Sequence, residues 1–212
     1  DMMLTKDEVQ EDLIRDSKIF HFGTLSSTHE GVREATRYAI DVAKEAGCIV
    51  SFDPNLRPPL WKSLDDAKAE IEYGLGKCDI LKISDNEVEF LFGTTDYDKG
   101  AALLKEKYNI PLILITLGKD GSSAYYKDMK VEAAPFLQEN TIETTGAGDT
   151  FCASSLNYVL EHGLDNLTEE NLKELLTFAN AAASLITTRK GALRVMSTKE
   201  EVLDFMKSRG VN

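Results

Sequence analysis

The sequence predicts an α/β fold in which a mostly parallel sheet is flanked by helices. Two observations lead to this prediction. Short apolar runs rich in β-branched residues alternate with stretches whose apolar residues recur at helical spacing. No linker, internal repeat or low-complexity tract interrupts the alternation, so we expect a single α/β domain over residues 1–212.

The first half of the chain reads as strands separated by helices. Each predicted strand is an apolar run of about five residues, and each predicted helix carries one apolar stripe, as a helix packed on a sheet does. The predicted strands are 18–22, 48–52, 79–83 and 111–116, and the helices between them include 31–46 and 64–75.

The pattern changes after residue 121. The stretches SSAYYKD and KVEAAPF are short and separated by a turn, which predicts an antiparallel hairpin. Longer helical patterns follow it, at 147–162, 169–187 and 199–208.

Charge and cysteine usage exclude several classes of partner. The 24 basic and 36 acidic residues give a formal net charge of -12, and no block of Lys or Arg stands out. Nucleic acid and anionic membranes are therefore not expected as partners. Cys48, Cys78 and Cys152 are too far apart to indicate a disulfide framework or a metal cluster. With no apolar stretch long enough to span a bilayer and no leader at the start, we expect a soluble cytoplasmic protein.

One stretch, TIETTGAGDTF at 141–151, has the residue types of a catalytic site. Gly146 and Gly148 stand directly before Asp149, and a predicted helix begins there. Glycine lets backbone N–H groups turn outward, and the first turn of a helix has unpaired N–H donors, so together they form a cradle for an anion. A carboxylate in such a cradle suits phosphoryl transfer, where it accepts the proton of the attacking hydroxyl. The local sequence equally allows Asp149 to be a helix cap.

This stretch closely resembles the DTTGAGD signature of the ribokinase-like (PfkB) carbohydrate kinases. Four further segments are similar to that family in the same order: SFDPNLRPPLW, DILKISDNEVEFLFG, LILITLGKDGS and FANAAASLITTRKGAL. DPNLRPPLW and TRKGALRVM resemble its bacterial fructokinase branch. The resemblance covers about the C-terminal two-thirds of the family's sequence. We therefore expect the first strands of the ribokinase-like sheet, the small β lid and most sugar-binding residues to lie outside these 212 residues, whether truncated or simply not included.

The resemblance assigns the catalytic roles. Asp149 is implied to be the base that deprotonates the sugar hydroxyl. Gly146, Ala147 and Gly148 are implied to form the anion hole through their N–H groups.

It also implies residues that bind nucleotide. Thr116, Gly118 and Gly121 in TLGKDG match the family's nucleotide-phosphate loop, although alone this stretch is typical of a plain turn. Asn180 falls where the family lines its adenine pocket, although small residues around it also suit a tightly packed core helix. The implied cofactors are ATP and Mg²⁺.

The motif SDNE occupies the place of the family's Asn-x-x-Glu motif. Glu87 matches the acid that organises Mg²⁺ and phosphate through water, whereas Ser84 replaces the usual Asn. As a bare sequence feature, an acid here is more typical of a solvated helix face.

Two further sites are predicted less directly. Arg57 could bind a phosphate or the sugar, because its guanidinium forms paired hydrogen bonds with oxyanions, or it could pair with a neighbouring acid. Many family members bind a monovalent cation, and Glu143, Thr145 and carbonyls of 187–192 match that site, with Glu143 in place of the usual Asp. K⁺ dependence is therefore a hypothesis.

The function implied by the resemblance is ATP-dependent phosphorylation of a sugar hydroxyl, with D-fructose giving fructose 6-phosphate. The alternatives are 2-keto-3-deoxygluconate kinase, ribokinase, or a catalytically inactive nucleotide-binding fragment. The implied partners are a small sugar and ATP, and a homodimer is a further possibility because relatives dimerise through the lid.

Overall fold

A computed structural model describes residues 2–211 of the chain. By their packing they divide into two compact units, Asp1–Leu114 and Ile115–Asn212. The first unit contains Arg57 and Glu87, and the second contains the predicted anion cradle and nucleotide loop. The prediction of a single domain stays a prediction.

The first unit alternates strands with helices along the chain, which is the rhythm of a parallel sheet. Its elements are α1 (Glu11–Arg15), β1 (Ile19–Gly23), α2 (Glu30–Glu45), β2 (Ile49–Asp53), α3 (Leu64–Leu75), β3 (Ile80–Ser84), α4 (Asp85–Phe92), α5 (Tyr97–Tyr108) and the first residues of β4 (Leu112–Thr116).

The strands of this unit pair in parallel. β1 and β2 are in register from Ile19 opposite Ile49 to Gly23 opposite Asp53, and β2 pairs with β3 in the same direction. β3 is almost wholly buried, because a parallel sheet is covered by helices on both faces. The carboxyl ends of β1, β2 and β3 therefore meet at one edge, where α/β sheets usually bind their ligands.

Side-chain caps set where two of the helices begin. At the start of α3 the Ser63 side chain accepts the amide of Asp66. At the start of α4 Ser84 and Glu87 form a capping box, in which the side chain of each accepts the amide of the other. The SDNE motif thus lies at the junction of β3 and α4.

The second unit begins inside β4 and continues with a hairpin and three helices. Its further elements are β5 (Ser122–Tyr126), β6 (Met129–Ala133), α6 (Ala147–His162), α7 (Glu169–Ile186) and α8 (Lys199–Ser208). β5 and β6 are antiparallel, and Lys127 in the turn between them has a φ of 52°. α7 packs against α6, the hairpin and α8.

The structure confirms the predicted strands and helices, each to within one residue at either end, and it confirms the hairpin, whose two strands end two and three residues before the stretches SSAYYKD and KVEAAPF do. α4 and α5 lie in a stretch where the sequence indicated helices without defining their bounds. Among residues 2–211, the structure contains no helix whose length and apolar character would suit a bilayer.

Candidate active site

The helix α6 begins with a left-handed residue. Gly146 is its N-cap with φ 80° and ψ -1°, a conformation that glycine adopts without the strain of a side chain. A Cβ at this position would lie in van der Waals contact with Ala192 Cβ and Ile186 Cδ1, each 3.4 Å away. The backbone conformation, rather than a lack of space, is therefore what favours glycine here.

The amides that follow Gly146 differ in their partners. Ala147 donates to the carbonyl of Thr144 at 3.2 Å, in the turn that leads into α6. Gly148 and Asp149 come next in the first turn, where an α-helix has no carbonyl of its own for them. These amides carry the partial positive charge of a helix N-terminus, which favours a bound anion. Of the predicted anion-hole residues, Gly148 thus has an amide that can donate to an anion, whereas the Ala147 amide already donates to Thr144.

The side chain of Asp149 is exposed at the third position of α6. Its carboxylate forms no hydrogen bond or ion pair with any residue from 2 to 211, and it does not cap the helix. The alternative in which Asp149 is a helix cap is therefore wrong. A carboxylate at this place is free to accept a proton from a ligand.

A cavity of about 470 Å³ lies in the second unit beside the start of α6. Its volume is in the range of small-molecule sites. Six of the predicted site residues line it: Thr116, Gly118, Gly121, Ala147, Gly148 and Asn180. Lys119 also lines it and was not singled out from the sequence, although its position inside TLGKDG was the available signal.

The turn after β4 depends on glycine at one position. Gly121 has a φ of 95°, and a Cβ there would lie 2.2 Å from the Ala133 carbonyl oxygen and 3.1 Å from the Pro135 nitrogen. Leu117 donates its amide to the Gly121 carbonyl at 2.8 Å, which closes the turn. The end of β6 therefore packs directly on this loop, and a larger residue has no room.

Asn180 lies in α7 and is buried among hydrogen-bond partners. Its Oδ1 accepts the Ser122 hydroxyl at 2.9 Å, and its Nδ2 donates to the carbonyls of Ala133 and Ala134 at 3.2 Å and 3.1 Å. Both hydrogens of the amide group are thus bonded to backbone. Asn180 lines the cavity, but it also fastens α7 to the hairpin.

The segments predicted to bind a cation are in contact with each other. The Gly191 amide donates to Glu143 Oε1 at 2.8 Å, and the amides of Ile142 and Glu143 donate to the Thr187 carbonyl at 2.8 Å and 3.3 Å. Thr145 is exposed between this contact and Gly146. The structure therefore brings Glu143 and the 187–192 stretch together, with the Thr187 carbonyl already accepting two hydrogen bonds.

Arg57 lies in the first unit, in the loop after β2. The side chain is exposed, and its Nη1 donates to the carbonyl of Leu56 at 3.3 Å. It forms no ion pair with any described residue, so the predicted alternative of pairing with a neighbouring acid is wrong. Its guanidinium remains available for an oxyanion.

Glu87 is buried, with 6% of its surface exposed. Its Oε1 accepts the Leu56 amide at 2.8 Å, and its Oε2 accepts the amide and the hydroxyl of Ser84 at 2.8 Å and 2.9 Å. The alternative of a solvated helix face is therefore wrong. Glu87 joins the start of α4 to the loop that carries Arg57.

The sequence did not single out Lys82, which forms a buried ion pair with Asp53. Lys82 Nζ lies 3.0 Å from Oδ2 of Asp53. Burial raises the pKa of Asp53 to about 6, and the charge of Lys82 opposes that rise. The available signal was a lysine inside an otherwise apolar strand, ILKIS.

Metal-binding side chains are not concentrated in the described part of the chain. Within residues 2–211, no group of three or more His, Cys, Asp or Glu side chains could hold a metal ion.

Sequence comparison identifies a family and individual proteins that are similar to this chain. The profile of the pfkB family carbohydrate kinases matches residues 1–199. A probable fructokinase-2 of Arabidopsis thaliana is 42% identical over 207 residues, which make up 98% of this chain and 63% of that protein. The chain thus spans less than two-thirds of the length of this curated relative.

Solved structures agree with the sequence comparison. A fructokinase with bound ATP from Xylella fastidiosa superposes with a TM-score of 0.88 at 27% identity, covering 99% of this chain and 67% of that one. A fructokinase from Vibrio cholerae O395 with fructose, ADP and calcium gives 0.85 at 27% identity, covering 97% and 65%. These similarities confirm the predicted fold class, a three-layer α/β arrangement of the ribokinase-like kind.

Proposed function

Because this chain belongs to the pfkB family of carbohydrate kinases, we propose that it carries the nucleotide site and catalytic base of an ATP-dependent fructokinase. The reaction is transfer of the γ-phosphoryl group of ATP to a hydroxyl of D-fructose, giving fructose 6-phosphate and ADP. The similar structures that hold ATP, or fructose with ADP, support this choice of substrates.

One observation carries the proposal. The exposed carboxylate of Asp149 stands in the first turn of α6, next to the amide of Gly148, and Gly148 lines a cavity of about 470 Å³. A proton acceptor and an anion-binding amide on neighbouring residues are what an attack by a hydroxyl on a phosphoryl group requires.

The residues of α6 supply the chemistry. Asp149 accepts the proton of the sugar hydroxyl while the oxygen of that hydroxyl bonds to the γ-phosphorus. At the same time the bond between the γ-phosphorus and the ADP oxygen breaks. The amides at the start of α6 stabilise the negative charge on the transferred group. General-base catalysis of this kind contributes a factor of about 10² to 10⁴ in rate.

We assign the cavity to the nucleotide, which supplies the phosphoryl group. Gly118 and Gly121 keep the loop after β4 free of side chains, so that its backbone can approach a phosphate. Lys119 adds a positive charge to the lining. Asn180 shapes the wall on the α7 side. We place the adenine along this wall and the phosphates toward α6.

We also propose a divalent and a monovalent cation. Mg²⁺ would accompany the nucleotide and would offset the negative charge of its phosphates. Arg57 contacts the sugar or a phosphate. Glu143, Thr145 and the 187–192 stretch are the proposed K⁺ site, because the Glu143 carboxylate and backbone carbonyls are oxygen donors.

A sugar panel tests the proposal. The purified protein is incubated with Mg-ATP and fructose, ribose, 2-keto-3-deoxygluconate or glucose, and ADP release is measured with a coupled assay. We expect the highest kcat/KM for fructose. A preference for ribose or 2-keto-3-deoxygluconate would reassign the acceptor, whereas ATP binding without sugar-dependent ADP release would identify a nucleotide-binding module without catalysis.

Location and assembly belong to the same proposal. The three cysteines are buried thiols, which suits a reducing cytoplasm. We propose a cytoplasmic enzyme that acts on small molecules, does not bind nucleic acid or membranes, and forms a homodimer. Cell fractionation and light scattering at several protein concentrations test the location and the assembly.

A further inference from the structure

We propose that Lys82 is a positioning residue: through Asp53 it fixes the loop 53–57, from which Arg57 projects. This inference rests on the proposed function, because Arg57 is placed there in the sugar or phosphate site. Lys82 itself is buried and is not proposed to contact a substrate.

Two other elements hold the loop 53–57 from outside. Thr24, just after β1, donates its hydroxyl to the Pro54 carbonyl at 2.6 Å. Glu87, in α4, accepts the Leu56 amide at 2.8 Å. Both anchoring side chains are buried, so water does not compete for these hydrogen bonds. The backbone on both sides of Asn55 is therefore fixed to the sheet edge.

Asp53 supplies the third anchor, from within the loop. Its Oδ1 accepts the Asn55 amide at 3.1 Å, and Asn55 has a φ of 46°, in the left-handed region that few residues other than glycine adopt. Lys82 Nζ lies 3.0 Å from Oδ2 and 3.2 Å from Oδ1 of the same carboxylate. Lys82 therefore holds the same carboxylate that accepts the Asn55 amide.

The ion pair is better explained by positioning than by stability. Lys82 is 7% exposed and Asp53 is 5% exposed. Removing two charges from water offsets most of their attraction, so a buried ion pair is weak support for a fold. The other residues of β3 show that an apolar side chain suits this strand. A lysine here fixes one orientation of Asp53.

The guanidinium of Arg57 bonds to the Leu56 carbonyl through Nη1 and has no oxyanion partner among the described residues. The backbone before it is anchored at Pro54, Asn55 and Leu56, while the side chain is exposed and forms no ion pair with residues 2–211. A fixed backbone limits the positions that the long Arg57 side chain can reach. The guanidinium is therefore pre-organised to bind an oxyanion.

A double-mutant cycle tests whether Lys82 acts through this loop. Lys82→Met keeps most of the side-chain volume and removes the charge. We expect it to lower kcat/KM for fructose by about 10- to 100-fold in the otherwise unchanged protein, the loss typical of a small misplacement. In the Arg57→Ala background we expect a loss of less than about threefold, because the side chain that Lys82 positions is gone. Equal losses in both backgrounds would overturn the proposal.

A matched control separates loss of charge from loss of positioning. Lys77 forms an exposed ion pair with Asp41 in the same unit. Lys77→Met should leave kcat/KM unchanged. ATP affinity of Lys82→Met, measured by calorimetry, should also be unchanged, since the nucleotide cavity is lined by residues of the second unit. A weakened ATP affinity equal to the loss of turnover would contradict a role confined to the loop.

Hydrogen exchange measures how firmly the loop 53–57 is held and does not depend on catalytic activity. It therefore separates this proposal from the proposed function. In Lys82→Met the amides of Asn55 and Leu56 should exchange at least about tenfold faster while those of β2 keep their protection. Unchanged exchange would overturn the inference even if fructose is phosphorylated. If Lys82→Met does not fold, the neutral pair Asp53→Asn with Lys82→Met replaces it in both measurements.

Discussion

Glu143 and Gly191 are joined by a hydrogen bond in which the glycine amide donates to Oε1 of the carboxylate at 2.8 Å. The two residues are 48 positions apart and lie on either side of the helices α6 and α7. Beside this contact, Ala192 lies 3.4 Å from where a Cβ at Gly146 would be. The stretch after α7 therefore supports the turn from which the proposed anion hole begins.

This contact leads to a prediction about monovalent cations. Oε1 of Glu143 accepts the Gly191 amide, so a K⁺ bound here would rely mainly on the second carboxylate oxygen. At fixed Mg-ATP and fructose, the rate should rise with KCl. Glu143→Gln keeps an acceptor for Gly191 and loses the charge, and it should raise the half-saturating KCl concentration about tenfold, the change that corresponds to about 1.4 kcal/mol.

Choline chloride at matched ionic strength is the control for that titration. A rate that stays flat with KCl would remove the cation site from the proposed function. A KCl response that Glu143→Gln leaves unaltered would keep the cation but assign it to other oxygens.

The second prediction concerns the catalytic base. Asp149→Asn keeps the shape of the side chain and removes its capacity to accept a proton. We expect kcat to fall by a factor of about 10² to 10⁴, with the affinity for ATP nearly unchanged. Steady-state kinetics and calorimetry measure the two quantities. Asp66→Asn is the matched control, because Asp66 is likewise exposed in the first turn of a helix, α3.

Near-normal turnover of Asp149→Asn would reject Asp149 as the base. A loss of ATP affinity as large as the loss of kcat would instead assign Asp149 to nucleotide binding, because an interaction made only in the transition state does not change ground-state affinity.

The third prediction compares two glycines with positive φ in the second unit. Gly121→Ala would place a Cβ 2.2 Å from the Ala133 carbonyl oxygen, whereas Gly163→Ala, at φ 81°, meets nothing within 4 Å. Gly163→Ala should lower the free energy of unfolding by about 1–3 kcal/mol, the strain of an alanine at φ 81° and ψ 167°, a backbone region almost limited to glycine. Gly121→Ala should lower it by at least about 3 kcal/mol and weaken ATP binding.

Urea unfolding followed by circular dichroism gives both free energies, and equal losses for the two variants would contradict the crowding at Gly121. The comparison is informative because both substitutions introduce the same methyl group and the same kind of backbone strain. What differs between them is the distance to the neighbouring strand.

The bounds of several helices could be predicted from the sequence because their start signals are local. α3, α6 and α8 begin where the sequence places them, after Ser63, Gly146 and Thr198. The strands were predicted to within one residue since buried parallel strands are continuous β-branched runs. Such features depend on neighbours along the chain, which the sequence shows directly.

The contacts that organise the candidate site depend on residues far apart in sequence, and the local pattern does not contain them. Lys82 reaches Asp53 across 29 positions, and Glu87 reaches Leu56 across 31. The family resemblance marked Glu87 as functional, but only the structure shows that its carboxylate is bonded to two backbone amides. Lys82 had no motif to indicate it.

The fourth prediction concerns the reactivity of Cys78. Burial, followed by the negative charge of Asp79, raises the pKa of the Cys78 thiol to about 12. The thiolate is the reactive form, so iodoacetamide at pH 8 should leave Cys78 unmodified in the folded protein and modify it in urea. Peptide mass spectrometry measures the modification. Rapid modification of the folded protein at Cys78 would show that this thiol is accessible.

The same shift has a consequence for stability. An acid whose pKa is raised on folding stabilises the folded state fully below the pKa of the unfolded chain, near 9, and this contribution is lost as pH rises through about 12. Unfolding free energies of the protein and of Cys78→Ala should therefore converge between pH 9 and pH 12. A constant difference between them over this range would contradict the raised pKa.

The last prediction separates the two roles of Asn180. Asn180→Ala removes the partner of the buried Ser122 hydroxyl and of the buried Ala133 carbonyl, together with a half-buried bond to the Ala134 carbonyl. We expect the free energy of unfolding to fall by about 2–4 kcal/mol, the loss typical of buried groups left unsatisfied. The KM for ATP should rise less than about tenfold, because both hydrogens of the Asn180 amide group are already bonded to backbone and few contacts remain for adenine.

Asn157→Ala is the control, because Asn157 is an exposed asparagine on α6, and it should change the free energy of unfolding by less than about 0.5 kcal/mol. A stable Asn180→Ala protein with a greatly raised KM would show that adenine recognition, rather than the attachment of α7 to the hairpin, is the main role of this residue.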